Sequence, residues 1–370
     1  MAVRGLFMIN GLGLGNSTRS YAVIEHLLEK GVEVDVITSG NGLTFFEGKP
    51  GIRSLTPMEA LFYSGSHGHV SGWRTLSALP RLQRLAHRKH RQLEEVLHRF
   101  RPDVVVTDSE YTLFPVRHRG IPIIALNNSD AVVSEYLDGR PTPRLIRSQF
   151  WIIEFADYLF HRALCDLVIS PAAKPIPPRH RKVRRVGLIL RRAVRSRLPE
   201  QSPVPVLRPP SASRRVVFML SGSIFASHLS LDRTDLPADI DVVGRDGLSQ
   251  GRVRYHGKIM DNTPFLLGAD VLVINGGFSP VSEALALGKP TFVIPVPGHA
   301  EQYVNARTVA DLGRGYVVDE HTVLPRLAEA YRTDRWDGLT PAALETGIDG
   351  AREAADAIVH FLQARGLHVG

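Results

Sequence analysis

The sequence predicts an α/β protein built from two doubly wound domains that face each other across a cleft. Three observations predict it. In the first half, short apolar runs such as "RGLFMIN" and "GVEVDVIT" alternate with stretches of helical periodicity. A segment rich in Pro, Ser and Arg then separates this half from a second alternating set: "RVVFMLSGS", "DIDVVGR", "RVRYHGKI", "ADVLVINGG" and "PTFVIPV". Each half also carries a glycine turn between an apolar run and a helix-like stretch. Strands alternating with helices make parallel βαβ units, with ligands at the carboxyl ends of the strands.

The elements follow in order. "RGLFMIN" reads as the first strand and "STRSYAVIEHLLEK" as an amphipathic helix, with Tyr21, Ile24, Leu27 and Leu28 at helical spacing. "GVEVDVIT" is the second strand. Residues 75–100 read as a helix, followed by the strands "RPDVVVTD" and "IPIIALNN". The expected domains are 1–190, a linker over 191–214, a second domain over 215–345, and a final helix-like stretch over 346–370 that packs back on the first domain. A chain of 370 residues is long enough for two cores.

Composition narrows the function classes. Hydrophobic residues make up 44% and charged residues 22%, an ordinary globular balance. No apolar run reaches the roughly 18 residues of a membrane span. The apolar part of "MAVRGLFMING" is too short for a signal peptide, so a cytoplasmic protein is expected. The single cysteine, Cys165, permits neither an internal disulfide nor a cysteine-based zinc site. His67 and His69 have metal-ligand spacing but no third partner, and no metal is expected. The net charge of +8 suits anionic partners such as phosphorylated substrates or an anionic lipid surface, although an arginine-rich, GC-rich coding sequence gives the same balance. No nucleic-acid motif accompanies the charge, so no nucleic-acid partner is expected.

The first glycine loop is Gly11-x-Gly13-x-Gly15, between a strand and a helix. It suits close backbone approach to a ligand at a helix N-terminus. It departs from the dinucleotide fingerprint, because Asn16 stands in the third glycine's place and the second strand ends Thr38-Ser39-Gly40 with no acid for the ribose. No lysine of a P-loop follows.

The second half carries the sharper pattern, "VLVINGGFSPVSEALALGKPTFVIPVPGHAEQYVNART", residues 271–308. A buried strand ends at Asn275, Gly276-Gly277 turn the chain, and Ser279 is placed to cap a helix with Pro280 at its first position, running to Gly288. The pattern G-G-x-x-P-V-x-E-A-L-x-x-G-K-P, then P-x-P-x-x-x-E-Q-x-x-N-A, resembles the donor-binding half of nucleotide-sugar glycosyltransferases of the GT-B architecture, which pairs two Rossmann-like domains. It looks most like the group containing MurG and the UDP-glycosyltransferases. Some members of that group carry G-x-G-L-G-H-x-x-R after the first strand, and Gly11, Gly13, Leu14, Gly15 and Arg19 match it here.

The resemblance implies a metal-independent transferase without a cofactor, using a nucleotide diphosphate sugar as co-substrate. UDP is the first expectation and dTDP the second, with a small-molecule or lipid-linked acceptor that is a hydroxyl or an anion. On the donor side it implies Ser221, Gly222 and Ser223 facing Gly276, Gly277 and Ser279 around the diphosphate. It puts Ile259 and Met260 on the base, Glu283 on the ribose, and Glu301 and Gln302 on the sugar, with Asn305 and His299 as helpers. On the acceptor side it implies Gly13, Gly15, Asn16, Asn128 and Asp130.

The family's loop histidine is the usual base for an inverting transfer, and Asn16 replaces it. Asparagine cannot accept a proton at neutral pH, so three explanations stand open. The base has moved, to Asp108 or Glu110 with Asp130 a third choice, and Asn16 orients the acceptor. The acceptor is already ionised. Or the chain is a pseudo-glycosyltransferase. A UDP-sugar 2-epimerase and a nucleotide-sugar-binding regulator remain as alternatives. Finally, "RLIRSQFWIIEFADYLFHRAL", residues 144–164, reads as an interdomain helix or as a peripheral membrane contact.

Overall fold

The computed structural model describes residues 2–59, 72–138, 141–199, 215–220, 229, 231, 234, 236–334, 336, 338–340 and 344–369, with side chains in the long third helix from residue 84 onward. The first domain runs β1 (Arg4–Ile9), α1 (Leu14–Glu29), β2 (Glu33–Thr38), α2 (Asn41–Phe46), β3 (Ile52–Pro57), α3 (Gly72–Phe100), β4 (Val104–Asp108), α4 (Phe114–His118), β5 (Ile123–Leu126), α5 (Ser129–Tyr136), α6 (Arg144–Gln149), a π-helical turn (Phe150–Glu154), α7 (Phe155–Leu164), β6 (Leu167–Pro171) and β7 (Val183–Val186). Helix α8 (Arg192–Arg195) opens the crossing to the second domain. There follow β8 (Arg215–Met219), β9 (Asp239–Val243), β10 (Val253–Tyr255), α9 (Thr263–Gly268), β11 (Val271–Asn275), α10 (Phe278–Ala286), β12 (Thr291–Ile294), α11 (Ala300–Asp311), β13 (Gly315–Val317), α12 (Val323–Thr333) and α13 (Gly350–Gln363).

Both sheets are parallel throughout, in the orders β3-β2-β1-β4-β5-β6-β7 and β10-β9-β8-β11-β12-β13. These are two doubly wound α/β domains, and in each the order reverses beside the first strand, so the loops after β1 and β4, and after β8 and β11, border the crevice. Central strands such as β4 and β11 are continuous apolar runs because helices cover both faces. The strands β3 and β7 escape a reading by apolar runs. β3 is an edge strand with no buried residue, and β7 is "VRRV", whose Arg185 is tolerated because Asp130 pairs with it.

Helix α13 lies against α1 and reaches β6 and β7, placing Ala354, Ala355, Ile358 and Leu362 in the first domain's core. A second junction is apolar. Val132, Tyr136, Ile146 and Phe150 of the first domain pack with Ala300 and Val304 of α11. The π-helical turn makes this possible. It buries Phe150 and Glu154 while Trp151 and Ile152 face outward.

Candidate active site

The two glycine loops meet. Gly13 precedes α1 and Gly277 precedes α10, and neither helix start is capped by a side chain. Ser279 Oγ donates across the cleft to the Gly15 carbonyl at 3.0 Å. Two positive helix ends therefore converge on one place, where anions are favoured. The expectation of Ser279 as the N-cap is corrected. The helix starts at Phe278, Gly277 takes the cap position, and the serine hydroxyl serves the interdomain contact instead. The helix ends at Ala286 with Leu287 as its C-cap, and Gly288, at φ +63°, stands just past it as the terminating glycine. Glycine is required at Gly11, where an added Cβ would lie 1.7 Å from the Ser39 carbonyl oxygen, and at Gly276, where it would lie 2.5 Å from that of Gln302. Asn305 Nδ2 secures this turn by donating to the Gly276 carbonyl at 2.9 Å.

On the donor side, Glu283 is buried and accepts a two-pronged contact from Arg191, Nε at 2.6 Å and Nη2 at 2.7 Å. The carboxylate is thus not free for a ribose in this state. Ile259 packs on the second domain's core and Met260 on the first domain's, so the loop carrying them straddles the crossing. Glu301, in the first turn of α11, accepts Asn128 Nδ2 at 3.0 Å, joining a donor-side and an acceptor-side candidate. Gln302 Oε1 accepts the Val296 amide at 3.0 Å and braces the preceding loop. Ser221, Gly222 and Ser223 lie outside the described residues, as do His67 and His69.

The proposed relocated bases do not fit. Asp108 is fully buried. It accepts Arg19 Nε at 3.1 Å and Nη2 at 2.5 Å, and Ser20 Oγ at 2.9 Å. Both of its oxygens are spoken for by the first helix, which the parallel β1–β4 register brings alongside. Glu110 is held by Lys89 Nζ at 2.7 Å on both oxygens, and by the Tyr111 and Thr112 amides at 3.1 Å each. Asp130 is buried and paired with Arg185. A base must reach the proton it removes, and these three carboxylates face their own domain's cations. Asn16 bridges the loop and this network. Its Nδ2 donates to the Asn10 carbonyl and its Oδ1 accepts Arg19 Nη2, both at 3.3 Å.

The structure adds three residues not singled out in the sequence: Asp157, His161 and Glu154. Asp157 accepts Tyr111 Oη at 2.7 Å and Asn127 Nδ2 at 2.8 Å, and lies 3.2 Å from His161 Nδ1. Burial opposes charge on both partners. Their mutual attraction and hydrogen bonding win, so Asp157 lies below the usual carboxylate range and His161 above the usual imidazole range. Glu154 behaves oppositely. Burial, then the neighbouring charge of Glu301, pushes it up to about 8. Its Oε1 accepts Gln149 Nε2 at 3.1 Å and lies 4.0 Å from His299 Nδ1. Burial lowers His299, against the pull of Glu301. Glu154 was legible as the one acid inside "FWIIEF", a run in which attention falls on the aromatics.

Comparison with known proteins follows the same division. Residues 3–149 match the model for glycosyl transferase family 1, and residues 251–358 the model for the glycosyltransferase family 28 C-terminal domain. An uncharacterised glycosyltransferase of Methanosarcina acetivorans is 26% identical over 348 residues, spanning 88% of each chain. A Mycobacterium UDP-N-acetylglucosamine–N-acetylmuramyl-(pentapeptide) pyrophosphoryl-undecaprenol N-acetylglucosamine transferase is 34% identical over 102 residues, 25% of this chain and 26% of its own. The fold is shared with the Streptomyces sp. SF2575 glycosyltransferase SsfS6, solved with thymidine diphosphate, at a TM-score of 0.54 and 19% identity over 97% of this chain and 96% of that one. With family matches in both domains and the paired parallel sheets beneath them, the chain is a glycosyltransferase of the GT-B type, similar to the MurG and UDP-glycosyltransferase group.

Proposed function

We propose that the protein moves a sugar from a nucleotide diphosphate sugar, UDP first and dTDP second, to a hydroxyl or anionic acceptor, without a metal and with inversion. The observation that carries this reading is the meeting of the uncapped N-termini of α1 and α10 at the Gly15–Ser279 contact. Backbone amides and helix dipoles there stabilise a departing diphosphate, the role a metal fills in other transferases. Glu283 is the ribose acceptor and Arg191 its keeper until nucleotide arrives. Glu301 and Gln302 read the sugar. The thymidine diphosphate in the SsfS6 structure and the UDP-sugar donor in the name of the Mycobacterium relative support the donor class.

Calorimetric titration with UDP, dTDP, GDP and NAD tests the reading. Selective binding of one nucleotide diphosphate is expected, weakened about tenfold or more in Glu283→Ala. No binding of any of them removes the donor site. The lipid-linked form of the acceptor draws on one feature: the α6–α7 segment exposes Leu145, Trp151, Ile152 and Leu159 and, within the same stretch, Arg144, Arg147 and Arg162. The protein is expected to co-sediment with vesicles containing anionic lipid, and Trp151→Glu with Ile152→Glu to abolish this. No helix among the described residues is long and apolar enough to cross a membrane.

A further inference from the structure

With Asn16 in the loop and Asp108, Glu110 and Asp130 committed to cations, the cleft needs another proton acceptor. We propose that His299 is the catalytic base and that Glu154 of the opposite domain is its positioning residue, so that the pair is assembled from both domains. This rests on the nucleotide-sugar transfer proposed above.

Geometry selects these two. His299 immediately precedes α11, whose first turn carries Glu301 and Gln302, so its ring stands beside the sugar-reading residues. Its Nδ1 is buried, has no hydrogen-bond partner, and lies 4.0 Å from Glu154 Oε1, while a third of the side chain remains exposed. A ring with one buried nitrogen turned to a carboxyl and an open remainder is arranged as a base with its orienting acid, and such contacts tighten when substrate binds. Glu154 belongs to the π-helical turn, a feature that recurs at functional sites. The turn is fastened to the start of α11. The Ala300 amide donates to Gln149 Oε1 at 2.7 Å, and the Glu301 amide to the Glu154 carboxyl. The charges around the pair are Glu301 on α11 itself, Asp157 on α7, and Arg19 on α1, which feels both acids.

In the step, the acceptor oxygen bonds to the anomeric carbon. The bond from that carbon to the diphosphate oxygen breaks, and its electron pair leaves on the diphosphate. The acceptor proton passes to His299 Nε2. The pair carries one negative charge before the transfer and none after it. As His299 Nε2 takes this proton, the Nδ1 proton passes to Glu154, and burial, which raises Glu154 and lowers His299, favours this product with both groups neutral. The rate therefore rises with pH as the pair gives up its extra proton.

The test uses the full-length protein with UDP-N-acetylglucosamine and dTDP-glucose, water as acceptor, and nucleotide release followed between about pH 6 and pH 9. UDP and dTDP affinities are measured in parallel. Expected is release by the wild type that climbs with pH. In His299→Ala it falls by about 100-fold at unchanged nucleotide affinity. In Glu154→Gln, which keeps an oxygen for the Glu301 amide, kcat falls about tenfold and the pH limb flattens while KM holds. His299→Ala within twofold of wild type, or a pH limb that survives in both variants, overturns the pair. Nucleotide binding by the wild type with no release at any pH also overturns it and leaves the donor site standing. No nucleotide binding by the wild type overturns the transferase reading and the pair with it.

Discussion

At the scale of single residues, the first domain spends its buried charges on structure. Asp108 holds Arg19 and Ser20, and Glu110 holds Lys89. Removing one partner leaves the other charge buried alone. Asp108→Asn is expected to cost about 3 kcal/mol, read as a shift in the urea midpoint, because Arg19 loses its counter-charge. Glu154 gives a residue-level pH dependence. Its carboxyl titrates at about 8 when folded against the ordinary 4.5 of a glutamate. The unfolded chain thus gives up this proton first. The stability it contributes is complete below the unfolded value and is lost as pH rises through the folded one. Wild-type Tm is expected to fall between about pH 4.5 and pH 8 and to level off above that, and Glu154→Gln to lose several degrees less over that interval. A Tm slope shared by both proteins would refute the buried, proton-holding carboxyl.

At the scale of elements, α11 is the piece on which donor reading and domain docking both depend. Its first turn carries Glu301 and Gln302. Its buried face holds Ala300 and Val304 against Phe150 and Tyr136, whose rings stack. Phe150→Ala opens a cavity in this seam and is expected to destabilise by about 3 kcal/mol and to raise the donor KM, since α11 loses the surface that fixes it. The β11–α10 turn is equally tight. A methyl at Gly276 meets the Gln302 carbonyl, a backbone atom that cannot swing aside. Gly276→Ala is expected to weaken nucleotide binding by tenfold or more, by pushing α10 and α11 apart.

At the scale of the whole molecule, the described state is closed. Ser279 meets Gly15, Asn128 meets Glu301, Lys258 meets Asn41, and Lys174 links Glu135 at 3.0 Å to Asp311 at 3.1 Å. The arginine on Glu283 and the asparagine on Glu301 occupy groups a donor would use, so substrate binding exchanges interdomain contacts for ligand contacts. Each such bridge is partly exposed and individually small. Lys174→Ala is expected to change overall stability by less than about 1 kcal/mol. It should nonetheless enlarge the radius of gyration of the nucleotide-free protein in solution scattering, with nucleotide restoring the compact value. An unchanged radius would mean that the apolar seam alone holds the domains.

The sequence by itself determined the α/β class, the two doubly wound halves and the transferase family. Those depend on the period of apolar residues and on glycines at strand–helix turns, which are local properties. It also determined what Asn16 cannot do, because that is a matter of functional-group chemistry. The edge strands β3 and β7 were illegible because their residues are polar, and β7 is explained only by Asp130 lying opposite Arg185. Tertiary structure alone decided which acids are committed and which are not. Asp108 and Glu154 are both buried carboxyls. Only packing sets Arg19 against the first and His299 and Glu301 near the second. A carboxyl's role follows from the charges folding brings to it, and those come from residues up to 147 positions away in the chain (Glu154 to Glu301).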